Sequence, residues 1–482
     1  MTADSWQSPL STRYASPAMQ RLWGEPHRIG QWRRVWLALA ESEQELGLAI
    51  PDAAITAMRA HLDDADLASA AAFEKRFRHD VMAHVHTFGE QAPDARAHLH
   101  LGATSAFVTD NADMLVMRDS MQLVLARLLN VIDALRTFAQ RYAALPCLAY
   151  THFQPAQLTT VGKRATLWMQ DLALDVEALV HRLDTLRLRG CKGTTGTQAS
   201  FLELFAGDHE KVRELERRIA ARLGAGAVFA VTGQTYPRKA DAQILDALSG
   251  VAQSTAKFAA DLRLLQHEGE LLEPFESEQI GSSAMAYKRN PMRAERIGAL
   301  ARHVISLQAN GAHTAAAQWL ERTLDDSANR RLTLPEAFLS VDAILLLAAN
   351  IAGGLEVREG VTASHVAQQM PFMATERWLM VAVQAGGDRQ AVHEVIRRHS
   401  LSVADAVAQG APNDLLERLS QDRAFGSIEL ATLMAELDPS RYVGRAPEQV
   451  GEFLAEYLDP LVADARMRQA PTAHTGSTEL RV

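Results

Sequence analysis

The chain has 482 residues, 48% apolar and 22% charged, with 49 Lys plus Arg against 58 Asp plus Glu and a formal net charge of −9. These are the proportions of a globular protein of about three domains, and the charge excludes a nucleic-acid sleeve or a basic membrane-surface protein. Cys147 and Cys191, the only cysteines, are too few for a disulfide framework and fit no zinc-ligand spacing.

Residues 1–10 carry Asp4 and no basic-then-apolar run, so no signal peptide is expected and a reducing, cytoplasmic setting is. Arg13-Tyr14 is an early arginine–phenol pair. The first dense ionisable segment is Arg78-His79-Asp80-Val81-Met82-Ala83-His84-Val85-His86. Histidines five and two residues apart share no helical face well, which disfavours a metal site. A histidine beside a carboxylate suits substrate positioning or a proton relay; a solvated polar turn explains the segment equally. His98-Leu99-His100-Leu101-Gly102-Ala103-Thr104-Ser105 then leads into a helix, where free N–H groups and two hydroxyls suit a carboxylate or phosphate. Plain capping is the alternative.

Met114, Met117, Met121, Val124, Leu128, Val131, Leu135 and Phe138 alternate as a heptad seam, which predicts one long helix. Leu115, Leu125, Leu129 and Ile132 lie off that seam, and two apolar faces predict self-association. In Tyr150-Thr151-His152-Phe153-Gln154-Pro155-Ala156-Gln157, an irregular segment before the next helix, His152 is either a structural histidine or a general acid. Further seams are Trp168, Leu172, Val176, Leu179, Leu183, Leu186, stopped by Gly190, and Ile244, Leu248, Val251, Thr255, Phe258, Leu262, Leu265. Gly281-Ser282-Ser283-Ala284-Met285-Ala286-Tyr287-Lys288-Arg289-Asn290-Pro291 has the composition of a loop that closes over anions, or of a solvent loop. Residues 292–320 and 334–352 are helical in pattern. Between them Arg322, Ser327, Arg330 and Arg331 form either a phosphate clamp or a surface neutralised by Asp325 and Asp326.

The apolar run 343–355 falls short of the roughly 18 residues a membrane span needs. Long helices of similar length predict a mostly helical bundle, flanked by shorter helices before residue 105 and after about 357. The expected domains are 1–104, 105–357 and 358–482, with a disordered tail from Gln469. No Walker, dinucleotide-glycine or Gly-x-Ser-x-Gly pattern occurs. The inventory points to acid–base chemistry on an anionic substrate without metal or cofactor.

The segment 281–291 resembles the signature loop of the fumarase/aspartase superfamily, Gly-Ser-Ser-x-Met-Pro-x-Lys-x-Asn-Pro, and its Tyr287-Lys288-Arg289-Asn290-Pro291-Met292-Arg293 portion is most similar to the adenylosuccinate lyase family. Ser11-Thr12-Arg13-Tyr14, Arg78-His79-Asp80-Val81, Leu101-Gly102-Ala103-Thr104-Ser105 and Thr151-His152-Phe153-Gln154-Pro155 agree. So do Lys192-Gly193-Thr194-Thr195-Gly196-Thr197-Gln198, Thr232-Gly233-Gln234-Thr235-Tyr236 and Glu321-Arg322-Thr323-Leu324-Asp325-Asp326-Ser327. The resemblance covers about residues 8–460.

It implies an all-α, three-domain subunit with a central long-helix bundle, a homotetramer whose active sites each draw on three chains, and a small-molecule nucleotide substrate. The implied reaction is β-elimination of fumarate from adenylosuccinate, and from the succinylated carboxamide intermediate of purine synthesis. By the family pattern Ser282 is the base, Lys288 helps stabilise it, His152 is the general acid and His79 its nearby partner. Thr104, Ser105, Gln234, Lys288 and Asn290 would hold the succinyl carboxylates. Arg13, Tyr14, Arg296, Arg322, Ser327 and Arg331 would hold the phosphate and nucleotide, with Arg78 and Asp80 beside them. A paralogue acting on a modified purine, or a catalytically idle relative, are the competing readings; the arginine clusters disfavour an argininosuccinate or aspartate lyase.

Ala286 stands where the superfamily loop has Pro, which raises the ordering cost of loop closure. Ala286→Pro is therefore expected to change kcat and to increase hydrogen-exchange protection of the loop; no change in either removes the idea.

Overall fold

A computed structural model describes residues 5–276 and 278–469. Helix α1 (Glu25–Glu45) and helix α2 (Asp80–Gln91) precede the centre of the molecule. The centre is built from α3 (Ser105–Arg141), the hairpin strands β1 (Pro146–Thr151) and β2 (Gln154–Thr160), and the helices α4 (Val161–Asp184) and α5 (Lys239–His267). The short strand β3 (Leu271–Leu272), helices α6 (Met292–Ala317) and α7 (Asp326–Gly354), and strand β4 (Glu356–Val357) complete it. Antiparallel pairing joins β1 to β2 and β3 to β4. Helices α3 to α7 form the expected bundle, so the fold is all-α with one small hairpin and one short long-range strand pair.

Helix α3 runs for 37 residues without Gly or Pro, and all eight of its seam positions are buried. Helix α4 starts at a Thr160 cap, whose Oγ1 accepts the Lys163 N–H at 3.1 Å. It ends at Asp184, so Leu186 lies past its end. Arg127 and Asp342 pair at 2.5 Å inside the bundle, and the Ser16 N–H donates to the same carboxylate at 2.6 Å. That contact fixes the N-terminal segment on the middle of α7.

Three expectations need correction. Leu115, Leu125, Leu129 and Ile132 are buried within the single chain, so they carry no argument for self-association. The exposed apolar residues of the bundle are instead Leu167, Leu174, Leu264, Ile305 and Leu332. The flanking helices are not uniformly short, since α1 has 21 residues and Arg389–Ala408 has 20. Finally, α7 is long and apolar enough to cross a membrane, because the helix extends well before residue 343; most of its apolar window is buried in the bundle.

After β4 comes α8 (Glu359–Met373), which packs Val366 and Met370 on Leu148 and Leu158 of the hairpin. Trp378, Ile396, Leu415, Leu419, Phe425 and Leu433 build a separate apolar core. Val450, Leu454, Leu458, Val462 and Ala465 return to the central one. The tail expected to be disordered lies, beyond Gln469, outside the described residues.

Glu43 on α1 is fully buried and neither carboxylate oxygen has a hydrogen-bond partner. Burial pushes its pKa from 4.5 up to about 8. A carboxyl raised in the folded state favours folding below its ordinary pKa, and that contribution is lost as pH rises through about 8. Glu43→Gln, which keeps the neutral shape, is expected to stabilise progressively more from about pH 5 to about pH 8, by at most about 1.4 kcal/mol per pH unit. Thermal unfolding across that range checks it; a pH-independent difference refutes it.

Candidate active site

At the N-terminal end of α3, a buried ion network joins α3, α5 and α7. Arg238 donates through Nε to Asp326 at 2.7 Å and through its terminal nitrogens to Asp110 at 3.1 and 3.2 Å. Arg330 donates to Asp241 at 2.7 Å and to the Tyr236 oxygen at 2.5 Å, and pairs with Asp113 at 3.1 Å. Burial pushes the Tyr236 hydroxyl far above its usual range, so it stays protonated and donates to Asp241 at 2.6 Å. Asp110 also accepts the Tyr236 N–H at 2.9 Å. Arg330 is thus a buried structural cation held by Asp241 and Asp113, which fits neither the phosphate clamp nor the surface neutralised by Asp325 and Asp326. Arg322 pairs with Asp326 at 3.2 Å.

The network positions the segments that carry the predicted residues. The Gln234 N–H donates to the Glu321 carbonyl at 2.9 Å, and the Gln234 carbonyl accepts from Arg189 Nε at 2.6 Å. The Gln234 side chain is left without a partner among the described residues. Gly196, at φ +87°, lies so close to the Thr232 carbonyl that a Cβ there would sit 1.9 Å away, which requires glycine at that position.

Thr104 and Ser105 stand at the start of α3, and the Thr104 hydroxyl makes no capping bond. The Phe107 N–H donates to the Thr104 carbonyl at 2.8 Å, while the Ser105 and Ala106 N–H groups have no backbone acceptor among the described residues and lie at the positive dipole end. His79 Nδ1 accepts the Met82 N–H at 3.3 Å, which leaves the proton of the neutral ring on Nε2, 3.5 Å from the Ser105 Oγ. Arg78 precedes it in the left-handed region at φ +55°. Asp80 pairs with Arg331 at 3.2 Å, an exposed pair of small energetic weight. His84 instead packs edge-on to Trp32, with burial lowering its pKa to about 4, and His86 lies against Phe73 and Phe77. The three histidines therefore serve different surroundings.

The opposite end of the bundle holds the other half of the set. The hairpin turn is two residues, His152 and Phe153, at φ +53° and +58° between the paired Thr151 and Gln154. Both positive angles match a type I′ turn, which Asn and Gly normally occupy. The irregular segment read from the sequence is thus a hairpin tip, and the His152 side chain has no partner among the described residues. On the 281–291 loop, Ser282 Oγ accepts the Ala284 and Met285 N–H groups at 3.4 and 3.2 Å. Asn290 closes the loop by donating to the Gly281 carbonyl at 2.8 Å. A Cβ on Gly281 would lie 2.1 Å from the Lys288 carbonyl. Glu273 accepts the Arg293 and Ala294 N–H groups at 3.1 and 3.0 Å, and Arg293 pairs with Glu276 at 2.5 Å. These clamps hold both ends of the loop, while the Lys288 amine is unpaired among the described residues. Arg296 lies 5.8 Å from the Tyr14 ring centre, which places Arg13-Tyr14 at this end too.

One chain therefore gathers Arg78, His79, Asp80, Thr104, Ser105, Gln234, Arg322, Ser327 and Arg331 at one end. It gathers Arg13, Tyr14, His152, Ser282, Lys288, Asn290 and Arg296 at the other. The 37 residues of α3, at about 1.5 Å each, put about 55 Å between its ends.

A family model described as "Lyase" matches residues 18–306, and one described as "Adenylosuccinate lyase C-terminus" matches residues 371–453. The chain is 51% identical over 457 residues to the adenylosuccinate lyase of Saccharomyces cerevisiae, covering 94% of each. The chain belongs to the adenylosuccinate lyase family. It is 46% identical to the adenylosuccinate lyase of Schistosoma mansoni, over 95% of this chain and 96% of the relative. The same fold occurs in 3-carboxy-cis,cis-muconate lactonizing enzyme from Pseudomonas putida, at a TM-score of 0.78 and 23% identity, covering 96% of this chain and 99% of that one. It also occurs in a fumarate lyase from Mesorhizobium sp. BNC1, at 0.77 and 23%, covering 94% and 98%.

Within this adenylosuccinate lyase family member, sequence reasoning missed the network of Asp110, Tyr236, Arg238 and Asp241. It also missed Glu270, which is buried behind the hairpin and accepts from Tyr150 at 3.4 Å, with His365 Nδ1 2.9 Å away. No local pattern marks these residues. The turn at His152 yields a test of functional strain. His152→Asn, a residue that tolerates the left-handed region, is expected to stabilise the fold by about 0.5–1 kcal/mol while abolishing turnover. Denaturant unfolding beside an activity assay checks it; a destabilised variant contradicts it.

Proposed function

We propose that the chain eliminates fumarate from adenylosuccinate to give AMP, and makes the same cut in succinylaminoimidazole carboxamide ribotide to give AICAR, in purine biosynthesis. The observation that carries this reading is Ser282, whose oxygen faces two backbone amides on a loop clamped at both ends. Those amide dipoles favour the alkoxide, as oxyanion-hole donors do, and Lys288 adds a cation on the same loop.

In this mechanism the Ser282 alkoxide takes the proton from the carbon beside the distal succinyl carboxylate. The carbanion charge spreads into that carboxylate, where the α3 N-terminus with Thr104 and Ser105, together with Gln234, Lys288 and Asn290, receives it. The electron pair then forms the fumarate double bond as the carbon–nitrogen bond breaks. His152 delivers a proton to the departing purine nitrogen, with His79 as its nearby partner. Arg13, Tyr14, Arg296, Arg322, Ser327 and Arg331 hold the phosphate and nucleotide, with Arg78 and Asp80 beside them. No step calls on a metal or cofactor.

The division of these residues between the two bundle ends supports a homotetramer with sites shared between subunits, because no single chain brings His152 to Ser105. The exposed Leu167, Leu174, Leu264, Ile305 and Leu332 on the bundle helices supply apolar surface for that assembly. A cytoplasmic location, in keeping with free buried thiols, belongs to the same reading.

The test follows fumarate release and the ultraviolet change on both substrates. Ser282→Ala and His152→Ala are each expected to lose at least about 100-fold in kcat. Mixing His152→Ala with an inactive variant at the opposite end of the chain, His79→Ala, after reversible dissociation is expected to restore turnover, because some hybrid sites receive intact copies of both residues. Failure of complementation would falsify shared sites, and a folded oligomer inactive on both substrates would point to a modified purine.

A further inference from the structure

A cleft of about 360 Å³ opens between the C-terminal end of α4 and the N-terminal end of α5. Its lining includes His181, Arg182, Arg187 and Lys239, with Phe229 as an aromatic wall, and contains no carboxylate. Among the described residues Arg182 bonds only the neutral Gln243, at 2.8 Å, and neither Arg187 nor Lys239 is ion-paired. Arg182, Arg187 and Lys239 thus share one concavity with no carboxylate partner among the described residues, in a protein of net charge −9. The nearby acids are engaged elsewhere: Asp184 pairs with Arg468, and Asp241 holds Arg330 and Tyr236. Guanidinium and ammonium groups around a partly apolar hollow of this size suit a phosphorylated small molecule.

The cleft is also mechanically joined to a substrate residue. Phe229 stacks on Tyr236, with ring centres 6.2 Å apart and planes 8° from parallel. The Phe229 N–H donates to the Leu188 carbonyl at 2.9 Å, and the adjoining Arg189 grips the Gln234 carbonyl. Arg187 and Lys239 thus flank the two segments that position Gln234.

We propose that this cleft is a second, non-catalytic site for a small phosphorylated anion, and that its occupancy alters substrate affinity through Gln234. The coupling half rests on the activity proposed above; the binding half does not.

Pyrophosphate is the probe, titrated calorimetrically into the assembled enzyme. Binding is expected to weaken at least tenfold in Arg187→Gln, in Lys239→Gln and in the double variant, and to survive Arg331→Gln, which alters only the proposed substrate-phosphate end. The double variant should keep its oligomeric size and its kcat without pyrophosphate. Pyrophosphate should shift the KM for adenylosuccinate at least threefold in the wild type and leave the double variant unmoved.

Absence of binding, or binding lost in Arg331→Gln but untouched in Arg187→Gln and Lys239→Gln, overturns the site. Dissociation of the double variant into smaller species also overturns it, by marking the cleft as a subunit contact. Binding with an unshifted KM overturns the coupling alone. A chain that binds pyrophosphate at the cleft yet turns over no adenylosuccinate retains the site and loses the activity reading.

Discussion

The buried charges at the head of the bundle decide the register on which the rest depends. Asp110, Asp113, Asp241 and Asp326 oppose Arg238, Arg330 and Arg322 where α3, α5 and α7 meet. Removing charges from water is costly, so such a cluster is stable only when every member is bonded, and breaking it costs about 3–5 kcal/mol. A slip of any one helix by a single turn would strand a carboxylate. The network therefore fixes relative helix position more strictly than leucine packing, which tolerates small displacements. It also holds residues 234–238 and the start of α7, and through them the orientation of Gln234, Arg322 and Ser327.

The bundle below that head acts as a spacer. Its helices are long because their apolar seams are long, and their length separates the hydroxyl loop and the hairpin histidine from the helix end suited to carboxylates. The proposed mechanism requires these parts to meet, so the dimensions of α3 bear on the proposed assembly as directly as any exposed leucine does.

How much of this is legible in the sequence depends on how far apart the cooperating residues lie. The seams of α3, α4 and α5 are local periodicities, and they appear as helices with ends displaced by a few residues. The glycine- and serine-rich segments stand out because they break those periodicities, and their family resemblance is concentrated there. The hairpin at Pro146–Thr151 and Gln154–Thr160 stays hidden because its turn is His-Phe, where a two-residue turn is normally announced by Asn-Gly. The Asp110, Arg238 and Asp326 contacts are hidden for a different reason. They join residues more than eighty positions apart, and nothing local distinguishes a buried aspartate from a solvated one. The off-seam leucines of α3 mislead in turn, because a helix at the centre of a bundle needs two apolar faces inside its own chain.

Helix α7 has one more consequence, for the order of events during synthesis. It is apolar enough to pass as a membrane span, yet it is the last of the five central helices to be made. The other four precede it in the chain, and an N-terminal portion folds first as a polypeptide emerges. By the time Asp326–Gly354 leaves the ribosome, the groove that shields it has already been translated, so its most aggregation-prone stretch spends the shortest time without a partner.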